Sequence, residues 1–169
     1  ELFRFRRRCL DLMLEWPKHS FETLQGLTNH FMTLPDDDRK KVVGLVRSWL
    51  LTNPSESVIA ELREHVRTRV LRRARRTSGK GDAVAHGKKL FDLLNPVDVI
   101  QKHRWLFRSA WVEYSPEELD ADELNHETRD KKIESDRVKA LREVLKERGQ
   151  DGVIELCKSG QTGHVIGWL

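Results

Sequence analysis

Asn53-Pro54-Ser55-Glu56, Asn95-Pro96-Val97-Asp98 and Ser115-Pro116-Glu117-Glu118 repeat one local phrase: a small polar residue, a proline, one further residue and a carboxylate. Each has the chemistry of a helix start. An Asn or Ser oxygen accepts from an unpaired N–H of the first turn, and proline at the first helical position loses no hydrogen bond. The carboxylate two residues later sits at the positive end of the helix dipole. Leu34-Pro35-Asp36-Asp37-Asp38 is a fourth version with three acids in the first turn, and Trp16-Pro17 closes an opening helix before Ser20 caps the next.

Working outward, the five prolines lie at 17, 35, 54, 96 and 116, at intervals of 18, 19, 42 and 20 residues. The third interval is about twice the others. Helices of about 15 residues joined by short turns satisfy this spacing. The expected fold class is therefore all-α, built of antiparallel helical hairpins, as an irregular bundle or a short solenoid segment. HEAT and tetratricopeptide arrays are similar in helix length only.

The apolar pattern has the helical period. Phe21, Leu24, Leu27, Thr28 and Phe31 share one face, Val42, Val43, Leu45, Val46, Trp49 and Leu50 make a broad second, and Ile59, Leu62, Val66 and Val70 step by three and four. Asn95 to about Tyr114, rich in aromatic residues, is expected to be one central helix. Ile133, Val138, Leu141, Val144 and Leu145 form a further stripe ending at Gly149, and a short helix over 151–158 and one from about Gln161 complete the pattern. The expected organisation is a single α-helical domain over 1–169, with a lobe at 1–76, a loop at 77–82 and a lobe at 83–169. Because residue 1 is Glu and the chain stops inside an apolar run, it is expected to be a piece of a longer protein.

Composition narrows the function classes. The chain has 169 residues, 38% hydrophobic and 34% charged, enough apolar residues for a core and too many for disorder throughout. The longest uncharged stretch is Thr23 to Pro35, 13 residues, short of the roughly 20 that a bilayer demands. The expectation is a soluble chain with no membrane partner. Cys9 and Cys157 have no metal-ligand spacing and fit reduced, packed thiols, hence a cytoplasmic location.

The net charge of +4 conceals an asymmetry. Residues 1–110 carry 22 Lys or Arg against 13 Asp or Glu, and residues 111–169 carry 9 against 14. Eight basic residues lie between Arg63 and Lys80 against the single acid Glu64. Because the stripe through Val70 continues into Arg73, this helix end should project from the core, with Arg69, Arg72, Arg73, Arg75, Arg76 and Lys80 as candidate contacts for nucleic acid or an acidic partner.

Motifs for catalysis fail on inspection. A phosphate-binding loop at Gly79-Lys80 would need glycine where Ala74 stands and a hydroxyl where Gly81 stands. The acids and bases at Asp36, Asp38, Arg39 and Lys40 fit a charged helix start better than a nuclease site. Glu123-Leu-Asn-His126 is a single Glu-x-x-His with no second copy, so no metal and no cofactor are expected. Trp16, Trp49, Trp105, Trp111 and Trp168 are expected to pack in the core. His103, Arg104, Trp105, Phe107 and Trp111 are nonetheless a candidate interaction face, since aromatic groups on more than one side of a helix need cover. The functional expectation is a non-catalytic interaction or scaffold domain of a larger multidomain protein, which binds other domains of the parent chain or a separate protein. The alternative is an accessory nucleic-acid-binding domain using the basic cluster.

Overall fold

The structure is a computed structural model that describes residues 2–15, 20–71, 81–108, 112 and 125–159. All regular structure among them is helical, so the fold is all-α. No helix among the described residues is long and apolar enough to cross a membrane. The chain divides into two compact units, Glu1–Asn95 and Pro96–Leu169.

The first unit holds α1 (Leu2–Glu15), α2 (Phe21–His30), α3 (Asp36–Leu50), α4 (Glu56–Val66) and α5 (Gly81–Leu93). Ser20 caps α2 as expected, its hydroxyl accepting from the Thr23 N–H at 3.3 Å. Asp36, Asp37 and Asp38 load the first turn of α3 as expected. The phrase at 53–56 works differently from the expectation. Ser55 rather than Asn53 is the N-cap of α4, and Asn53 has φ +55°, an αL position that asparagine tolerates, where the turn leaving α3 closes with the Asn53 N–H on the Leu50 carbonyl at 3.2 Å.

Packing in this unit runs chiefly between helices that are not consecutive: α3 lies on α5, and α2 on α4, whereas α3 and α4 touch little. The core joins Leu24, Leu27, Phe31, Val42, Val46, Leu62, Val66, Val70 and Leu90, so the three stripes read from the sequence all point inward. Arg39 is buried with its Nε and Nη2 donating to the Phe31 and Met32 carbonyls at 3.2 and 3.3 Å, in the 3₁₀ turn (Phe31–Thr33) that follows α2, where the Phe31 carbonyl also accepts the Leu34 N–H at 3.3 Å. Arg7 of α1 donates to the buried carboxylate of Asp38 at 2.7 Å, clipping α1 to α3. Beyond Val66 the helix widens into a π-helical segment, Arg67–Leu71, which buries Val70 and Leu71 side by side. The segment lies against α5, where a Cβ at Gly87 would stand 3.0 Å from Val70 Cγ1. Gly81 and Asp82 open α5 instead of closing a loop, and α5 packs with the first unit, so the compact units divide at Asn95–Pro96 and not at 77–82.

The second unit holds α6 (Val99–His103), a 3₁₀ turn (Arg104–Phe107) and α7 (His126–Ser159). One long helix from Asn95 does not form. The phrase at 95–98 delays the start to Val99, with Asp98 as the cap whose carboxylate accepts from the Gln101 N–H at 2.9 Å, and the helix tightens to 3₁₀ at Arg104, which brings both Leu106 and Phe107 inward. α7 is interrupted at Gly149 (φ +67°, ψ −163°), where the sequence stripe was expected to end. Its core side carries Ile133, Ala140, Val144 and, past the break, Leu156, against Val99, Ile100, Leu106 and Phe107. Ser115-Pro116, the helix from Gln161, Trp16 and Trp168 lie outside the described residues.

Candidate interaction surface

Of the basic cluster, Arg69 is described, and it is exposed on the π-helical segment; Arg72, Arg73, Arg75, Arg76 and Lys80 lie outside the described residues. Its described neighbours are engaged with their own unit. The Arg63 guanidinium stands 3.9 Å over the Phe91 ring, and buried Arg67 grips Glu64 through Nε at 2.9 Å and Nη2 at 2.6 Å. Burial first, and the Arg69 charge second, push the His65 imidazole below its ordinary pKa.

The aromatic set divides. Phe107 is 0% exposed and belongs to the core of the second unit, which removes it from any binding face, and Trp105 is half-buried against that core. His103 Nε2 lies 2.8 Å from Glu143 Oε2, and Lys102 Nζ donates to Glu143 Oε1 at 2.5 Å, so His103 helps to hold α6 onto α7. The ammonium of Lys102 first, and then His103, keep the Glu143 carboxyl below the usual carboxylate range. Arg104 is half-buried, with its Nε shielded from solvent and without a hydrogen-bond partner among the described residues. Trp111 lies outside them, as does Glu123, while His126 is exposed at the start of α7. Cys9 and Cys157 are free, and burial pushes the Cys157 thiol up, away from a reactive thiolate.

The open apolar surface lies on α7. With Ala140, Val144 and Ile133 turned to the core, the helical period sends Val138 and Leu145 to the opposite side, where they are 40% and 50% exposed. Gly149 breaks the helix with a backbone conformation that only glycine adopts readily, and past the break Ile154 is 49% exposed. Val138, Leu141, Arg142, Leu145, Gln150, Val153 and Ile154 from the two arms line one groove of about 480 Å³. Arg142 is its one charged lining residue. A second depression of about 350 Å³, lined by Lys131, Glu134, Ser135, Val138, Lys139 and Arg142, continues it toward the start of α7.

This lining offers no nucleophile and no acid–base pair. It offers apolar side chains at helical spacing beside a cation, suited to an amphipathic segment. The sequence pattern named Val138, Leu141 and Leu145 as part of one helical stripe with Ile133 and Val144, without separating outward from inward residues. The signal that could have separated them is width: Ile133, Ala140 and Val144 already fill one face, and a second stripe opposite needs a second cover.

No protein-family model matches the chain, and comparison with curated proteins and with solved structures finds no match either.

Proposed function

We propose that the chain is a non-catalytic helical interaction or scaffold domain of a larger multidomain protein, acting in a reducing cytoplasm on another domain of its parent or on a separate protein. The observation that carries this reading is the groove on α7, whose exposed Val138, Leu145 and Ile154 join Leu141 and Val153 in one continuous apolar lining. Contiguous exposed apolar surface costs solubility and is characteristic of binding sites. The groove takes an amphipathic helix by burying its apolar anchors, while Arg142 meets a carboxylate on the border.

The test is selection of helix-forming peptides from a display library on the immobilised 169-residue chain, then titration of the winners against Leu145→Asp and Ile154→Asp variants of verified helicity. Peptides with apolar anchors that lose about tenfold or more in affinity on either variant support the reading. A selection that yields no peptide sensitive to these substitutions overturns it.

A second reading rests on Arg69, which points to solvent while Arg63 and Arg67 are engaged inward. With Arg72, Arg73, Arg75, Arg76 and Lys80 it makes an accessory nucleic-acid contact. In that case binding to labelled single- or double-stranded nucleic acid falls steeply with salt and is lost in an Arg72/Arg73/Arg75/Arg76→Glu variant. Absence of binding at low salt disposes of this reading and leaves the groove untouched.

A further inference from the structure

We propose that the occupant of the α7 surface is a second copy of this chain, paired across a two-fold axis at Val138, so that Glu134 of each copy meets Arg142 of the other. The inference rests on the reading of that surface as a protein-binding site and names the partner.

The first support is the charge inventory of α7. Seven of its charged side chains are ion-paired among the described residues: Lys131 with Glu127 at 2.7 Å, Lys132 and Lys139 with Asp136 at 3.0 and 3.6 Å, Glu143 with Lys102 and His103, and Arg148 with Asp98. Glu134 and Arg142 are among the exposed charges of α7 that make no ion pair among the described residues, as are Asp130 and Lys146. Glu134 and Arg142 stand eight residues apart, about 12 Å along the axis, too far to pair with each other.

The second support is symmetry. Glu134, Val138 and Arg142 form one i, i+4 row, with the acid and the base equidistant from the valine. Two such rows laid antiparallel bring Val138 to its own copy and create two Glu134–Arg142 pairs at once. This is the self-complementarity that a two-fold interface requires. The depressions described above share Val138 and Arg142, so the paired surface is continuous across the axis. By the same register Leu141, next to the row, stands level with Ser135 of the other copy.

Sedimentation equilibrium of the full chain over a concentration series tests this, with Glu134→Arg, Arg142→Glu and the double exchange alongside and far-UV circular dichroism verifying helicity. We expect a reversible dimer, about tenfold or more weaker in each single variant, because like charges then face each other twice, and restored toward the parent affinity in the double exchange. A chain that is monomeric throughout, a dimer indifferent to both single changes, or a double exchange as weak as the singles together overturns the proposal. Peptides captured at Leu145 and Ile154 by a monomeric chain would still uphold the interaction reading, which separates failure of the dimer from failure of the groove.

Discussion

Gly149 is the residue on which the groove depends. Its φ of +67° with ψ of −163° lies in a region that side chains with a Cβ avoid, and a Cβ added there would meet nothing within 4 Å, so the constraint is purely one of backbone. Gly149→Ala is expected to cost about 1–3 kcal/mol and to shift the Val153 and Ile154 arm. Thermal unfolding measures the first effect, and altered side-chain NMR shifts of Ile154 the second. Asp98 carries another local load: it caps α6 and receives Arg148. Asp98→Asn keeps the capping oxygen and loses the charge, whereas Asp98→Ala loses both, so the alanine variant is expected to be less stable than the asparagine by about 1 kcal/mol in urea denaturation.

At the scale of elements, the stripes of α2, α3 and α4 were legible because their apolar residues keep the helical period and prolines mark the breaks between them, and Leu24, Val46 and Leu62 are buried accordingly. The stretch after Asn95 was not. Its aromatic richness suggested one long helix, but Asp98 and not Asn95 supplies the cap, and the turn tightens where Leu106 and Phe107 both enter the core. The width of the apolar surface of α7 shows a second stripe, but which of the two faces outward depends on what packs against it. The π-helical segment was equally hidden, since a stripe extrapolated at 100° per residue passes from Val70 to Arg73 and overlooks Leu71. Its close approach to α5 makes Gly87 sensitive to size. Gly87→Val, which must push on Val70 and Leu71, is expected to destabilise by about 1–3 kcal/mol, read from the shift in denaturation midpoint.

For the whole molecule, acid is the expected weakness. In the first unit, burial pushes the Asp38 carboxyl up, but Arg7 and Lys41 outweigh it and hold the group below its ordinary value, and Lys40 does the same for Asp36. In the second unit, burial also pushes Asp98 up and is outweighed by the Gln101 N–H and Arg148, while Lys102 and His103 lower Glu143. A carboxyl depressed in the folded state contributes stability in full above its unfolded pKa of about 4 and loses it as pH falls through the lower folded value. Stability is therefore expected to be flat near neutrality and to fall below about pH 4. Asp38→Asn should be less stable at pH 7 and lose less of its remaining stability on acidification, which urea titrations across pH would show; an unchanged acid slope would count against the Arg7–Asp38 clip.

The widened turn at Arg67–Leu71 also bears on ancestry. A π-helical turn holds roughly one residue more than an α-helical one, so it is the shape that a single-codon insertion leaves in a helix whose two ends are already packed. A related chain one residue shorter between Val66 and the basic run would carry an ordinary α-helix there, with the packed residues on either side kept in register. A one-residue gap at this point, met when two such sequences are compared, would mark where the extra residue was taken up.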